Sequence, residues 1–343
     1  RLVRDEEVAG SNPAIPTMTS SAAPPLVLPS AGTSMVTFED VLAVPGAYCL
    51  YDAAGLRIAA SVSWTGQRRR GPTPPRIDVP EDVARVDEPV VFGGLLPKAH
   101  FGHVLLEMFT RLWVFDAGVV DGRTPLRYFT HYGRALEPFE QQLLAAALDG
   151  VATDVAPISR PTRFARISVP SQAIVLDQPM DPAVLPLYDR VRDRLVGDVR
   201  RDERPLYLSR SRLSVGKRRT LGERSLQDRL QRSGVRVVHP ETLPLQEQVR
   251  LVTGAATVIG LSGSALHLTM LRDLPGGRTI SLDARSPYAP QREVERVRGA
   301  TFHHLHAQYP LHPRLPGGAA WELGDYRNFV LPGPLGRRIL RLL

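Results

Sequence analysis

The chain has 343 residues, 43% hydrophobic and 23% charged, which is apolar material enough for two domains with cores of their own. Its one cysteine, Cys49, excludes an internal disulfide framework and a cysteine-rich zinc site, and fits a reducing compartment. The net charge of +8 is almost wholly arginine, Lys98 and Lys217 being the two lysines, and no recognition motif for nucleic acid accompanies it, so nucleic acid is not the expected partner.

In chain order, Ala9-Gly-Ser-Asn-Pro13 reads as translated transfer-RNA T-arm sequence, which makes Met18 the expected start. The Pro/Ser/Ala-rich stretch that follows reads as a disordered tail over 1–34. Arg1–Thr17 lacks the apolar core of a signal peptide, and no apolar run approaches the ~18–20 residues that span a bilayer. A cytoplasmic address is expected. Short apolar runs at Val41–Val44, Ala47–Tyr51 and Arg57–Val62, parted by Pro45-Gly46 and Ala54-Gly55, predict strands of a small sheet. Val90–Leu96 leads into a helix expected from Phe101 through Trp113. Further helices are predicted over Pro138–Leu148 and Asp181–Gly197, the second with Asp181 as its cap and Pro182 in the first helical position.

The pattern then becomes regular. Strands Arg204–Ser209, Val235–His239, Ala256–Leu261 and Thr279–Leu282 alternate with helices Glu223–Ser233, Leu245–Thr253 and Gly263–Leu271. Such alternation predicts a parallel sheet with helices on both faces. The end, Pro334–Leu343, reads as a short basic amphipathic helix, available for peripheral contact with the inner membrane face.

Three constellations carry chemistry. On the helix from Phe101, residues His103, Glu107 and Arg111 fall on one narrow stripe while apolar side chains cover the rest. A helix apolar over most of its girth is buried, so its polar stripe faces something polar. Either His103 is a general base with Glu107 orienting it, or Glu107 and Arg111 form an internal ion-pair ladder beside a core histidine. The second constellation is the small-residue turn Gly260-Leu-Ser262-Gly263-Ser264 between a buried strand and a helix, where backbone N–H groups and a positive helix end suit a phosphate. Tight packing alone would also call for such a turn. The third is Leu206-Tyr-Leu-Ser-Arg-Ser-Arg212, followed by Lys217, Arg218 and Arg219: a strand ending in Arg210 and Arg212 places guanidinium forks at the carboxyl edge of a parallel sheet, where ligands bind. A solvated basic loop is the plainer reading, above all for Lys217 and Arg218.

Taken together and in this order, these segments resemble glycosyltransferase family 61. The resemblance runs unevenly from Ala99 to Asp283. It rests on Leu208-Ser-Arg210, Arg219-Thr-Leu-Gly-Glu223, Gly234–Val238, Pro240-Glu241, Glu247-Gln248 and Ala256-Thr-Val-Ile-Gly260 running on to Gly263-Ser264. The His103 helix resembles the family's earlier Asn-x-x-His-x-x-x-Asp/Glu element. Three positions depart from the pattern: His100 and Gly222 stand where the family has asparagine, and Ser262 where it often has histidine.

The resemblance implies an α/β protein of GT-B type, two Rossmann-like lobes around a cleft. Residues 35–185 would form the acceptor-side lobe and 186–300 the donor-binding lobe, with 301–343 crossing back to the first. It implies inverting transfer from a nucleotide sugar, a UDP-sugar by expectation, to a saccharide or glycan acceptor, with neither a metal nor a cofactor. His103, or Glu107, would be the base. Arg210, Arg219 and the turn Ser262, Gly263, Ser264 would clamp the diphosphate. Glu223, Glu241 and His267 would complete the donor site. A degenerate member that binds nucleotide sugars without turnover is the alternative, and turnover of any donor by the purified protein excludes it.

Overall fold

The computed structural model describes residues 32–65, 68–69, 71–96, 100–151, 154–213, 220–273, 276–283, 287–307, 309–310 and 329–343. The expected start at Met18, the tail ahead of residue 32, and Lys217, Arg218 and Arg219 lie outside the described residues. The chain divides into two compact units. The first runs as far as His100 and adds Glu107–Gln141 and Leu148–Leu176; the second takes Phe101–Leu106, Gln142–Ala147 and the chain from Asp177 onward.

In the first unit, β1 (Met35–Ala43), β2 (Leu50–Tyr51), β3 (Ala84–Val86), β4 (Val90–Leu96), β5 (Leu126–Thr130), β6 (Val155–Pro157) and β7 (Thr162–Pro170) share one sheet. Its order is β2-β1-β7-β4-β5-β6, with β3 also paired to β7. Strands β7, β4, β5 and β6 run parallel, whereas β1 is antiparallel to both β7 and β2. The sheet is therefore mixed, where the resemblance implied a Rossmann-like lobe. β4 is buried along its whole length, as a central strand covered on both faces must be. Phe92, Phe129, Phe164 and Ile167 pack together in its core.

Arg57–Val62, expected as a strand, bridges Tyr51 at Arg57 and then turns into a 3-10 helix over Ala59–Ser61. The reason is Ser61: its hydroxyl donates to the Ile58 carbonyl at 2.7 Å and accepts from the Leu50 amide at 2.8 Å. Local side-chain bonds here replace a strand ladder.

The second unit contains β8 (Leu206–Leu208), β9 (Arg236–Val238), β10 (Thr257–Leu261), β11 (Arg278–Asp283) and β12 (Thr301–His306). All are parallel, in the order β9-β8-β10-β11-β12. Its helices are α1 (Phe101–Glu107, as far as Leu106), α2 (Pro138–Leu148, over its middle), α3 (Leu185–Val196), α4 (Glu223–Arg232), α5 (Leu245–Gly254), α6 (Ala289–Val297) and α7 (Leu335–Leu340). Asp181 accepts from the Ala183 amide at 2.9 Å and starts the turn into α3, as its sequence predicts.

Leu226 and Leu230 of α4 join Leu335 and Ile339 of α7 on one face of the sheet, against Tyr207, Ile259 and Ile280. Each such side chain contributes about 1.5–3 kcal/mol by leaving water. Leu206, Leu208 and Val258 alternate to the other face and are buried too. There α3, α5 and α6 pack around a 3-10 helix, Leu266–Leu271. The apolar side of α7 belongs to this core.

The chain passes from β8 to β9 on one side, then returns to β10 on the other. The order reverses between β8 and β10, and crevices at such reversals take ligands at the carboxyl ends of the strands. No helix among the described residues is long and apolar enough to cross a membrane.

Candidate functional site

The turn after β8 is built around one buried carboxylate. Glu223 Oε1 accepts from the Arg210 amide at 2.8 Å, Tyr207 Oη at 3.1 Å and Ser209 Oγ at 3.2 Å. One helical turn on, Gln227 donates to Ser209 Oγ and, at 2.8 Å, to Ser211 Oγ. Burial pushes the Glu223 carboxyl above its ordinary range, against the pull of these donors and of Arg210. Glu241 is exposed, and its Oε1 accepts from the Arg212 amide at 3.1 Å. Both glutamates thus hold the 209–212 turn in shape. Gly222, at the head of α4, has φ +84°, a left-handed position that glycine and asparagine both tolerate. The departure from asparagine at that position leaves the turn intact.

Across the switch point, the Arg210 guanidinium reaches the turn after β10, donating to the Ser262 carbonyl at 3.3 Å. Gly263 has φ +147°, and a Cβ there would lie 2.9 Å from Arg210 Nη1. Glycine is required both for that backbone and for the approach of the arginine. The helix expected over Gly263–Leu271 is instead the six-residue 3-10 helix, closed by i to i+3 bonds from Leu266, His267 and Leu268. Thr269 Oγ1 lies 2.8 Å from the Leu266 carbonyl and 2.6 Å from Glu295 Oε1, its one proton serving the carboxylate. So short a helix supplies little dipole. The positive charge at this turn is the guanidinium of Arg210.

The start of α1 lies against the same turn. A Cβ on Gly102 would stand 2.7 Å from Ser264 Oγ and 3.0 Å from His267 Cδ2, so only glycine permits this approach. Tyr188 of α3 fixes the helix by donating to the Leu105 carbonyl at 2.7 Å. His103, next along, is half-buried.

The expected stripe does not persist, because α1 ends at Glu107. Thr110 is held by the segment at 173–174: its Oγ1 donates to the Ile174 carbonyl and accepts from the Ile174 amide, both at 2.8 Å, while its own carbonyl takes the Ala173 amide. Arg111 then turns into the first unit, fully buried, and donates to the carbonyls of Pro170, Val62 at 3.0 Å and Ala60 at 3.2 Å. Burial pulls its pKa down to about 9. Glu107 is counted in that unit too, lining a small cavity with Ser63, Gly94, Arg111 and Gln172.

Arg210, Ser262, Gly263, Ser264 and His267 therefore share one edge of the second unit, and α1 begins against it at Gly102, the residue before His103; Arg219 lies outside the described residues. Sequence reasoning missed what stands behind them. His267 is buried, with Nδ1 3.0 Å from Gln291 Oε1 and its ring 5.7 Å from that of Tyr288. Gln291, Thr269, Glu295 and Arg272 continue the chain of hydrogen bonds inward. The available signal was the i, i+4 pair Gln291 and Glu295 on the buried face of α6. Asp283, at the carboxyl end of β11, was also missed. Burial raises its carboxyl pKa, against the pull of Ser262, Ser281 and His304.

The opposite, amino edge of the same sheet opens on a cleft of about 740 Å³ lined by Asp202, Arg204, Arg236, Glu247 and Arg250 among others. Its charges are largely exposed and already paired, Arg204 with Asp202 at 2.9 Å and Arg250 with Glu247 at 3.6 Å.

The family described as Glycosyltransferase 61 matches residues 101–279, just over half of the chain. No curated protein matches it.

Proposed function

The chain belongs to glycosyltransferase family 61, and on that premise we propose that it transfers a sugar from a UDP-sugar to a saccharide or glycan acceptor, inverting the anomeric centre and using no metal. One observation carries the reading: Arg210 lies on the Ser262–Gly263 turn at the switch point of the parallel sheet. A guanidinium fork at the carboxyl edge of a parallel sheet suits the diphosphate of a nucleotide sugar.

In the proposed reaction His103 takes the proton of an acceptor hydroxyl as that oxygen bonds to the anomeric carbon. The bond from that carbon to the diphosphate oxygen breaks on the opposite face. The departing nucleoside diphosphate gathers negative charge, which Arg210 stabilises in place. His103 is preferred to Glu107 because α1 begins against Ser264 and His267. Glu223 and Glu241 serve indirectly, by shaping the turn that presents Arg210. GT-B architecture and a cytoplasmic address belong to the same proposal.

Thermal unfolding with uridine diphosphate tests it, since a ligand of the folded state raises the melting temperature. Stabilisation that saturates with concentration is expected, and no shift at millimolar ligand would overturn the donor reading. Transfer should also persist after dialysis against EDTA. Loss of activity that a divalent ion restores would overturn the metal-independent part alone.

A further inference from the structure

The outer side of α4 and α7 is made largely of arginine. The two helices pack against each other on one face of the parallel sheet, with Leu226, Leu230, Leu335 and Ile339 turned to its core. They meet closely, since a Cβ on Gly336 would run into the Arg229 side chain. At helical spacing Arg224, Arg232, Arg337 and Arg341 then point away from the core, with Arg229 and Arg338 at the flanks. All six are exposed, and Asp228 is the one exposed carboxylate on either helix. It stands a turn from Arg224 and from Arg232 without pairing to them, and none of the six arginines has an ion pair among the described residues. At the amino edge of the sheet, by contrast, Arg204 and Arg250 have carboxylates beside them. Like charges left unpaired repel one another, and an anionic surface laid against them relieves that repulsion.

We propose that this two-helix face docks the protein on an anionic phospholipid surface, its guanidinium groups taking the headgroup phosphates. Lipid is favoured over nucleic acid by what accompanies the charge. Neither helix carries an aromatic side chain on which bases could stack. Leu221, beside the glycine that heads α4, is 53% exposed, and the interface of a bilayer takes up such an apolar side chain where a sugar–phosphate backbone does not. The contact is one of charge: the apolar side of α7 is buried in the core of the unit and is not available for insertion. Docking of this kind is independent of which donor the carboxyl edge binds.

Co-sedimentation of the full chain with vesicles tests it, with no substitution needed at first. Vesicles of phosphatidylcholine with about 30 mol% phosphatidylglycerol should carry the protein down at ~0.1 M salt, and ~0.5 M salt should release it. Vesicles of phosphatidylcholine alone should leave it in solution, and equal sedimentation with both kinds overturns the proposal. So does failure to sediment with either. Replacing Arg224, Arg337 and Arg341 together by glutamine should lower the partition coefficient about 100-fold, roughly fivefold for each cation. The triple variant Arg200→Gln, Arg204→Gln, Arg250→Gln removes the same formal charge from the amino edge and should stay within about twofold, because screening confines the attraction to the face in contact. Equal loss in the two variants, at melting temperatures near that of the unsubstituted protein, would assign the binding to net charge and overturn the role of the face. A DNA duplex that binds more tightly than the vesicles, and is released by the first variant alone, would overturn it in favour of nucleic acid. Neither result touches the donor reading, which uridine diphosphate tests without lipid.

Discussion

The two edges of the second unit's sheet are both polar, yet they are built on different principles. At the amino edge, arginines and carboxylates stand in a wide cleft and pair with one another in water, as Arg204 does with Asp202. At the carboxyl edge, Arg210 is set by a buried carboxylate, a glycine that makes room for its guanidinium, and the turn of the neighbouring strand. Exposed pairs are screened and contribute little, whereas a charge held by buried partners is already oriented before a ligand arrives. On the proposed reading the wider cleft is not the donor site. What marks the proposed site is a guanidinium that reaches across the switch point to the turn of the neighbouring strand.

The sharpest contrast between the edges is chemical. His103→Ala should lower the rate of transfer by about 10²–10⁴ while donor affinity stays within twofold, because a general base acts on the chemical step. Glu107→Gln should cost less. The reverse ranking in single-turnover assays would move the base to Glu107.

Next in size is the effect on binding. Arg210→Ala should weaken uridine diphosphate by about 10–100-fold in calorimetric titration, the worth of a charge-assisted hydrogen bond, with the melting temperature of the free protein nearly unchanged. Arg250→Ala, across the sheet, should leave that affinity within twofold. If the two variants behaved alike, the distinction between the edges would collapse.

A smaller effect concerns pH. Burial raises the Glu223 carboxyl above its ordinary value of 4.5, so the folded state holds that proton more firmly than the unfolded chain does. The resulting stability is present in full below pH 4.5 and is lost as pH rises through the raised native value. Relative to Glu223→Gln, the protein should gain stability on acidification from neutral pH, as read from urea midpoints. A difference that is flat or grows with pH would show that the carboxylate form is the one the fold prefers. Smallest of all, Arg250→Ala should change stability by no more than about 0.5 kcal/mol, since its partner Glu247 is itself partly exposed.

The legible parts of the sequence were those whose causes are local. β8 to β11 and the helices α4 and α5 between them could be read because each apolar run is closed by its own turn, and the order of the runs implied the parallel sheet. The first unit resisted for the opposite reason: β1 pairs with β7 through Met35 opposite Pro170 and Phe38 opposite Ile167, contacts that no local pattern announces. The end of α1 was misjudged because periodicity continues through Trp113, while Thr110 is drawn out of the helix by Ile174. At the site, Arg210 and the Ser262–Ser264 turn stood out by residue type. The Gln291–Glu295–Arg272 network did not, since its members look like ordinary surface polar residues until packing buries them.

The approach of Gly102 to Ser264 has a consequence for how the protein comes into being. It joins residues about 160 positions apart, and the second unit takes up Phe101–Leu106 and Gln142–Ala147 from chain synthesised well before its own sheet. Contacts of such separation form slowly, because the intervening chain must be ordered before they return any stability. A nascent chain that has released His103 must hold α1 without its final neighbours until the turn after β10 emerges. A fragment beginning at Asp177 would keep every strand of the parallel sheet and still lack the helix that abuts Ser264 and His267. The edge that carries Ser264 and His267 is thus completed only when residues about 160 positions apart have both been made.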